Sequence, residues 1–190
     1  LDELARTRDP YFDVLIQHGT ETYKVADKLA EAGIPVSNIT LDAPGGKLET
    51  MDLRLDNAGI LERAGVLVSI HSDDPIVDSR MMLREAAMAV RGGMSREGAL
   101  KALTINGAKQ MRLDERVGSL EPGKDADFLI LDGDPFSVYT HVLETWVEGA
   151  KLFDRSREED LKMATGGYGA GSPLEASHHH WEIAAGEAGQ

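Results

Sequence analysis

The feature that most narrows the fold is an alternation of short β-branched runs with longer helical patterns over the first two-thirds of the chain, the signature of βα units on a parallel sheet. Val14-Leu15-Ile16-Gln17-His18 reads as a buried strand closed by Gly19. Thr20 is placed to cap a helix running to Ala32, with Tyr23, Ala26, Leu29 and Ala30 on one face and Gly33 at its C-cap. Ile34 to Ile39 is the next strand, and the loop Thr40 to Glu49 that follows holds Ala43-Pro44-Gly45-Gly46, poor helix material. A second helix is expected from about Met51 to Ala64, stopping at Gly65, before a third strand, Val66 to Ile70. Side chains alternate across a strand. Val66, Val68 and Ile70 therefore share an apolar face suited to a helix layer, while Ser69, His71 and Asp73 share the other if the extended geometry persists. An inner face ending in His and Asp fits the C-terminal mouth of a β/α barrel, where such folds carry their chemistry.

Beyond Pro75 a helical stretch, Asp78 to Arg91, carries a stripe of Met82, Ala86 and Ala89 and ends at Gly92-Gly93. Ser95 caps a helix through Leu103, and a short helix near Asn106 to Met111 follows. From Val117 the period changes to alternation. One hairpin is expected from Val117 to Leu120 and Ala126 to Leu131 across Glu121-Pro122-Gly123-Lys124, and a second from Val142 to Val147 and Lys151 to Phe153. Beyond Asp154 the pattern fails: Arg155 to Asp160 is a charge run and Gly166 to Ser172 is Gly-rich, so a solvated tail is expected. His178-His179-His180 cannot all face one ion from a single regular element, and reads as adventitious.

Composition narrows function. With 33 acidic against 20 basic side chains the formal charge is −13, the wrong sign for a nucleic-acid face or an acidic membrane surface. There is no cysteine, so disulfides, CxxC zinc sites and thiol nucleophiles are excluded, and any metal must use His, Asp or Glu. The longest apolar run, Ala64 to Ile70, is interrupted by Gly65 and Ser69 and falls well short of the roughly 20 residues that span a bilayer. The chain starts at Leu1 without a basic or apolar leader pattern, which suggests a processed or truncated start and leaves the compartment open.

Two polar residues stand where strand gives way to loop: His18 and Asp73. Imidazole and carboxylate suit zinc and related divalent ions, although His and Asp at strand ends also serve as turn formers. The surrounding motifs are more specific. Gln17-His18-Gly19-Thr20-Glu21, the stretch Ala64 to Pro75 containing Ser69-Ile70-His71-Ser72-Asp73-Asp74-Pro75, the helix end Ala102 to Lys109, and Val117 to Ile130 with Glu121-Pro122-Gly123-Lys124-Asp125-Ala126-Asp127 occur in that order. Together they resemble the C-terminal half of the amidohydrolase superfamily, most closely its imidazolonepropionase-like branch, which includes metal-dependent, prolidase-like dipeptidases.

That resemblance implies an α/β fold: the C-terminal part of a (β/α)8 barrel, residues 1–112, followed by the C-terminal strands of a small β-sandwich, 113–154, and a tail, 155–190. It implies Asp73 as a metal ligand and also as the catalytic base that takes a proton from the attacking water, His18 as a ligand of a second metal or, in a one-metal site, a substrate contact, and one or two divalent ions, Zn2+ foremost. His71, of the same parity as Asp73, is a candidate substrate contact or partner of a ligand, or a hydrogen-bonded interior histidine. Arg54 could grip a substrate carboxylate or form a helix-surface salt bridge. Lys47 and Glu49 read as a solvated loop pair or a substrate contact, Asp74 as a turn residue, and His141 as structural. The superfamily's His-x-His after strand one, its strand-four lysine or glutamate and its strand-five histidine have no counterpart here, and a closed barrel takes about 250 residues.

The expected partners are accordingly a small-molecule or short-peptide substrate and the N-terminal half of the same enzyme, as a second chain or a missing segment. The complete unit is expected to be a homo-oligomer, with neither nucleic acid nor membrane. The implied activity is metal-dependent hydrolysis of an amide C–N bond in a peptide, cyclic amide or related small molecule. The alternatives are deamination on the same scaffold, and a non-catalytic binding or assembly module.

Overall fold

A computed structural model describes residues 14–40, 51–74 and 77–166. Three short strands, β1 (Ile16–His18), β2 (Val36–Asn38) and β3 (Val68–Ile70), form a parallel sheet in that order. Their register aligns Ile16, Val36 and Val68 in one row and Gln17, Ser37 and Ser69 in the next. The first row faces the helices: Val36 and Val68 are buried with Leu29, Ala58, Leu61, Ala86 and Ala89. The parity read from the third strand therefore places its apolar face as expected. The opposite row is polar, where a parallel barrel ordinarily packs branched apolar side chains.

The strands are joined through helices α1 (Ala26–Ala32) and α2 (Asn57–Ala64), and β3 is followed by α3 (Met82–Arg91), α4 (Arg96–Leu103) and α5 (Ile105–Gln110). Gly33 and Gly65 end α1 and α2 in the left-handed conformation, with φ of 63° and 89°, a geometry glycine adopts without a Cβ clash. Ser95 caps α4 as its type predicts, its Oγ accepting from the Gly98 amide at 2.8 Å. Thr20 does not cap α1. The chain enters that helix through a 3-10 turn, Thr22–Val25, in which the Thr22 hydroxyl donates to Gly19 O at 2.6 Å. The second helix is shorter than its apolar pattern suggests, since residues 51–56 are turns and irregular backbone. The Gln110 side chain closes the start of the sheet, accepting from Ser69 Oγ at 2.6 Å and donating to Val36 O and Leu67 O.

A second sheet is antiparallel, with β4 (Phe128–Leu131) pairing β5 (Val142–Val147) and β5 pairing β6 (Ala150–Asp154). The expected strand Val117 to Leu120 does not form, and β4 pairs with β5 instead. Gly118, at φ 91°, lies so close to α5 that an added Cβ would sit 2.7 Å from the Ala108 Cβ; the segment packs on that helix rather than entering a ladder. The charge run after Asp154 is also more ordered than expected. Helix α6 (Glu158–Thr165) starts with Glu158, Glu159 and Asp160, which suit the positive end of a helix dipole. Arg80 donates to the Met163 and Gly166 carbonyls at its other end. His178-His179-His180, Lys47 and Glu49 lie outside the described residues, and no helix among those described is long and apolar enough to cross a membrane.

Candidate active site

Both strand-end residues singled out by the sequence leave their strands through a left-handed backbone: His18 has φ 68° and Asp73 φ 58°. Non-glycine residues adopt that region at a cost of about 1–3 kcal/mol, and such outliers gather where function requires a particular side-chain aim. Asp73 thus does not continue the extended parity of β3, yet its carboxylate still meets His18. His18 Nε2 and Asp73 Oδ1 stand 3.8 Å apart, with side chains 45% and 37% exposed, open to a ligand.

The bend after β1 is fixed by its surroundings. Gly19 follows His18 at φ 49°, and a Cβ there would lie 2.4 Å from Val36 Cγ1. Its carbonyl accepts from the buried Asn57 Nδ2 at 2.8 Å, and the same amide nitrogen donates to Asn38 Oδ1 at 2.7 Å. Asn57 Oδ1 accepts from the Tyr23 amide at 2.8 Å. One side chain at the start of α2 therefore joins the turn after β1 to the end of β2. Across the sheet, the Ile39 amide donates to His18 O at 3.4 Å and the His71 amide to Asn38 O at 3.1 Å, holding the three strand ends together.

His71 stands beside this pair. Its ring lies edge-on to that of His18, with centroids 5.0 Å apart and planes at 87°. Its Nδ1 is 2.8 Å from Ser37 Oγ, whereas Nε2 is buried without a hydrogen-bond partner among the described residues. Burial, and then the neighbouring His18, push the His71 imidazole below its usual pKa.

Arg54 does not join this group. Its guanidinium forks onto Asp56 at 2.8 and 2.6 Å and lies over the Tyr23 ring at 4.8 Å, the salt-bridge alternative of the sequence reading. Asp74 accepts from the Ser79 amide at 2.9 Å, and His141 pairs with Asp132 at 2.8 Å between the end of β4 and the start of β5.

Three contributors were not legible in the sequence. Ser37 and Asn57 act through partners 34 and 38 residues away. Glu85 sits on the α3 stripe, fully buried, and accepts from the Thr40 amide beyond β2 at 2.9 Å. A polar residue among Met82, Ala86 and Ala89 was the one available signal for it.

The His18–Asp73 pair fits a divalent ion. Nitrogen and oxygen ligands about 2.0–2.2 Å from one tetrahedral ion stand roughly 3.4 Å apart and can never exceed about 4.4 Å, and the observed 3.8 Å lies within that reach. Among the described residues no three His, Asp or Glu side chains converge as a full ligand set would.

Comparison with known proteins places the chain in a family. The amidohydrolase family model matches residues 13–157. An imidazolonepropionase from Picrophilus torridus is 39% identical over 95 residues, covering 46% of this chain and 24% of that protein. Adenine deaminase 4 of Rhizobium meliloti is 37% identical over 86 residues, covering 40% of this chain and 14% of that protein. Among solved structures, an amidohydrolase from Thermotoga maritima superposes with a TM-score of 0.72 at 40% identity, covering 76% of this chain and 38% of that one. A zinc-bound adenosine deaminase from Xanthomonas campestris, at 20% identity, shares the fold with a TM-score of 0.64 over 89% of this chain and 42% of that one. The chain thus spans less than half the length of each of these proteins. With a family match over residues 13–157, a span that contains both sheets, this chain belongs to the amidohydrolase family.

Proposed function

We propose that this chain is the C-terminal share of a metal-dependent hydrolase that cleaves an amide C–N bond in a peptide, cyclic amide or related small molecule. The observation that carries the reading is the 3.8 Å approach of His18 Nε2 to Asp73 Oδ1 from two left-handed strand ends. His18 and Asp73 would hold the ion, and their nitrogen and oxygen donors suit zinc. When bound, such an ion lowers the pKa of water from 15.7 to about 7 and polarises a carbonyl. Asp73, partly open to solvent, accepts a proton at its carboxylate and returns it to the leaving nitrogen. His18, with Nε2 3.8 Å from that carboxylate, would hold the ion or contact the substrate carbonyl.

A pair of ligands does not complete a metal site, and three strands do not close a barrel. Within the described residues β1 and β3 each have one side without a strand neighbour. The reading therefore includes a complementary N-terminal portion, on a second polypeptide or on a longer form of this one, that brings the remaining strands, a His-x-His pair and the other half of the small sandwich.

Deamination is the second reading, favoured by the match to an adenine deaminase. It uses the same metal and base, with ammonia as the leaving group. The test assays the complete protein against imidazolonepropionate, prolyl dipeptides and adenine, with metal content measured alongside. Turnover of a cyclic amide or peptide that is lost on chelation supports the proposal, and ammonia release from adenine alone selects the second reading. Full activity of Asp73→Asn overturns the proton role of that residue.

A further inference from the structure

The polar row on the sheet face opposite the helices has a use that the metal pair does not account for. Ser69, in that row, is engaged by Gln110 at 2.6 Å. Ser37, its register neighbour on β2, reaches the mouth instead: it is 6% exposed, and its Oγ lies 2.8 Å from Nδ1 of His71, which follows β3 on the same face. One edge of the His71 ring is thereby held. The other nitrogen, Nε2, is buried, has no protein partner among the described residues, and belongs to a ring set edge-on against His18. Buried polar nitrogens are ordinarily paired, and one left open beside a reactive pair is a place for a ligand atom.

We propose that Ser37 is a positioning residue for His71: its hydroxyl donates to Nδ1, so that the ring proton stands on Nε2 and is presented as a donor to the substrate oxygen that gains negative charge when the C–N bond is attacked. In a neutral imidazole one nitrogen donates and the other accepts, so the partner of Nδ1 sets the character of Nε2. The opposite tautomer would turn a lone pair toward the site and leave the developing negative charge without a donor. A donor fixed in a desolvated position stabilises developing negative charge without reorganisation. His71 is the substrate-contacting group in this account, and Ser37 acts through it. The inference rests on the hydrolytic reading above for the role of Nε2, but not for the Ser37–His71 geometry.

The test uses the full chain with 15N-labelled histidine, the His71 signals among the six histidines being assigned with His71→Asn. Long-range 1H–15N spectra are recorded for the wild type, Ser37→Ala and Ser37→Thr, and the same variants are made in the complete enzyme for kinetics. The expected result is a single Nε2–H tautomer in the wild type, a mixture in Ser37→Ala, and recovery of the single form in Ser37→Thr, which keeps the hydroxyl. In the complete enzyme kcat falls about 10- to 100-fold in Ser37→Ala, with KM and metal content little changed, and Ser37→Thr restores it. An Nδ1–H tautomer in the wild type, or an unchanged tautomer and kcat in Ser37→Ala, overturns the proposal. The spectra need no turnover. If no substrate is cleaved, the hydrolytic reading fails together with the substrate role of Nε2, and the tautomer still decides whether Ser37 positions His71.

Discussion

Replacing Asn57 by alanine separates the polar bracing of the site from ordinary core packing. Asn57 is 3% exposed and makes three hydrogen bonds of 2.7–2.8 Å, to Gly19 O, Asn38 Oδ1 and the Tyr23 amide. Each is worth about 1 kcal/mol net, and an orphaned buried acceptor such as Asn38 Oδ1 adds about 1 kcal/mol or more. Alanine returns up to about 0.7 kcal/mol of helix propensity. The balance is a loss of about 3 kcal/mol. Asn57→Asp still accepts from Tyr23 and, after rotation of the Asn38 amide, from that side chain too, but it sets a carboxylate oxygen against Gly19 O; its loss is intermediate. Urea unfolding extrapolated to zero denaturant measures both, with the slope m expected to stay constant. Because Asn57 holds the carbonyl that follows His18, Asn57→Ala also frees the left-handed His18 backbone, and zinc affinity falls about tenfold. A loss below about 0.5 kcal/mol in Asn57→Ala would refute the reasoning, since that is no more than a surface substitution costs.

Gly19→Ala places a Cβ at φ 49° and 2.4 Å from Val36 Cγ1, and lowers stability by about 1–3 kcal/mol in thermal unfolding; an unchanged Tm contradicts the crowding drawn from the geometry. Acid should destabilise the chain through its paired carboxylates. Hydrogen bonds from Arg80 hold Asp78, and those from the His141 backbone and ring hold Asp132, below the ordinary carboxylate pKa. Such groups bind fewer protons folded than unfolded, so their contribution is full above the unfolded value of about 3.9 and is lost as the pH falls through the folded values. Asp78→Asn should flatten that acid limb of the stability curve, and an unaltered limb assigns the acid sensitivity elsewhere.

What the sequence revealed follows from which forces are local. The two faces of β3 were legible because side chains alternate with a fixed period, and the ends of α1 and α2 because Gly33 and Gly65 take a conformation other residues resist. Val117 to Leu120 misled because alternation alone does not say whether a strand partner exists; the close approach of Gly118 to α5 occupies that segment. Residues 158–165 misled in the other direction. Their charge run is a helix stabilised by its acidic first turn and by a Glu158–Lys162 pair at 2.9 Å, with no buried residue to betray it. His18 and Asp73 were visible as strand-end polar residues, whereas their left-handed backbones were not. Asn57, Ser37 and Glu85 were hidden because each gains its role from a tertiary contact 34 to 45 residues distant, and none differs in type from the asparagines, serines and glutamates of an ordinary surface.

The central claim is that His18 and Asp73 form one side of a metal centre. The most direct measurement is anomalous diffraction at the zinc edge from crystals of the complete protein. The account predicts an ion with His18 Nε2 or Asp73 Oδ1, or both, within about 2.0–2.2 Å, its remaining ligands coming from residues outside those described here. An ion bound elsewhere, with both side chains beyond coordination distance, would contradict it.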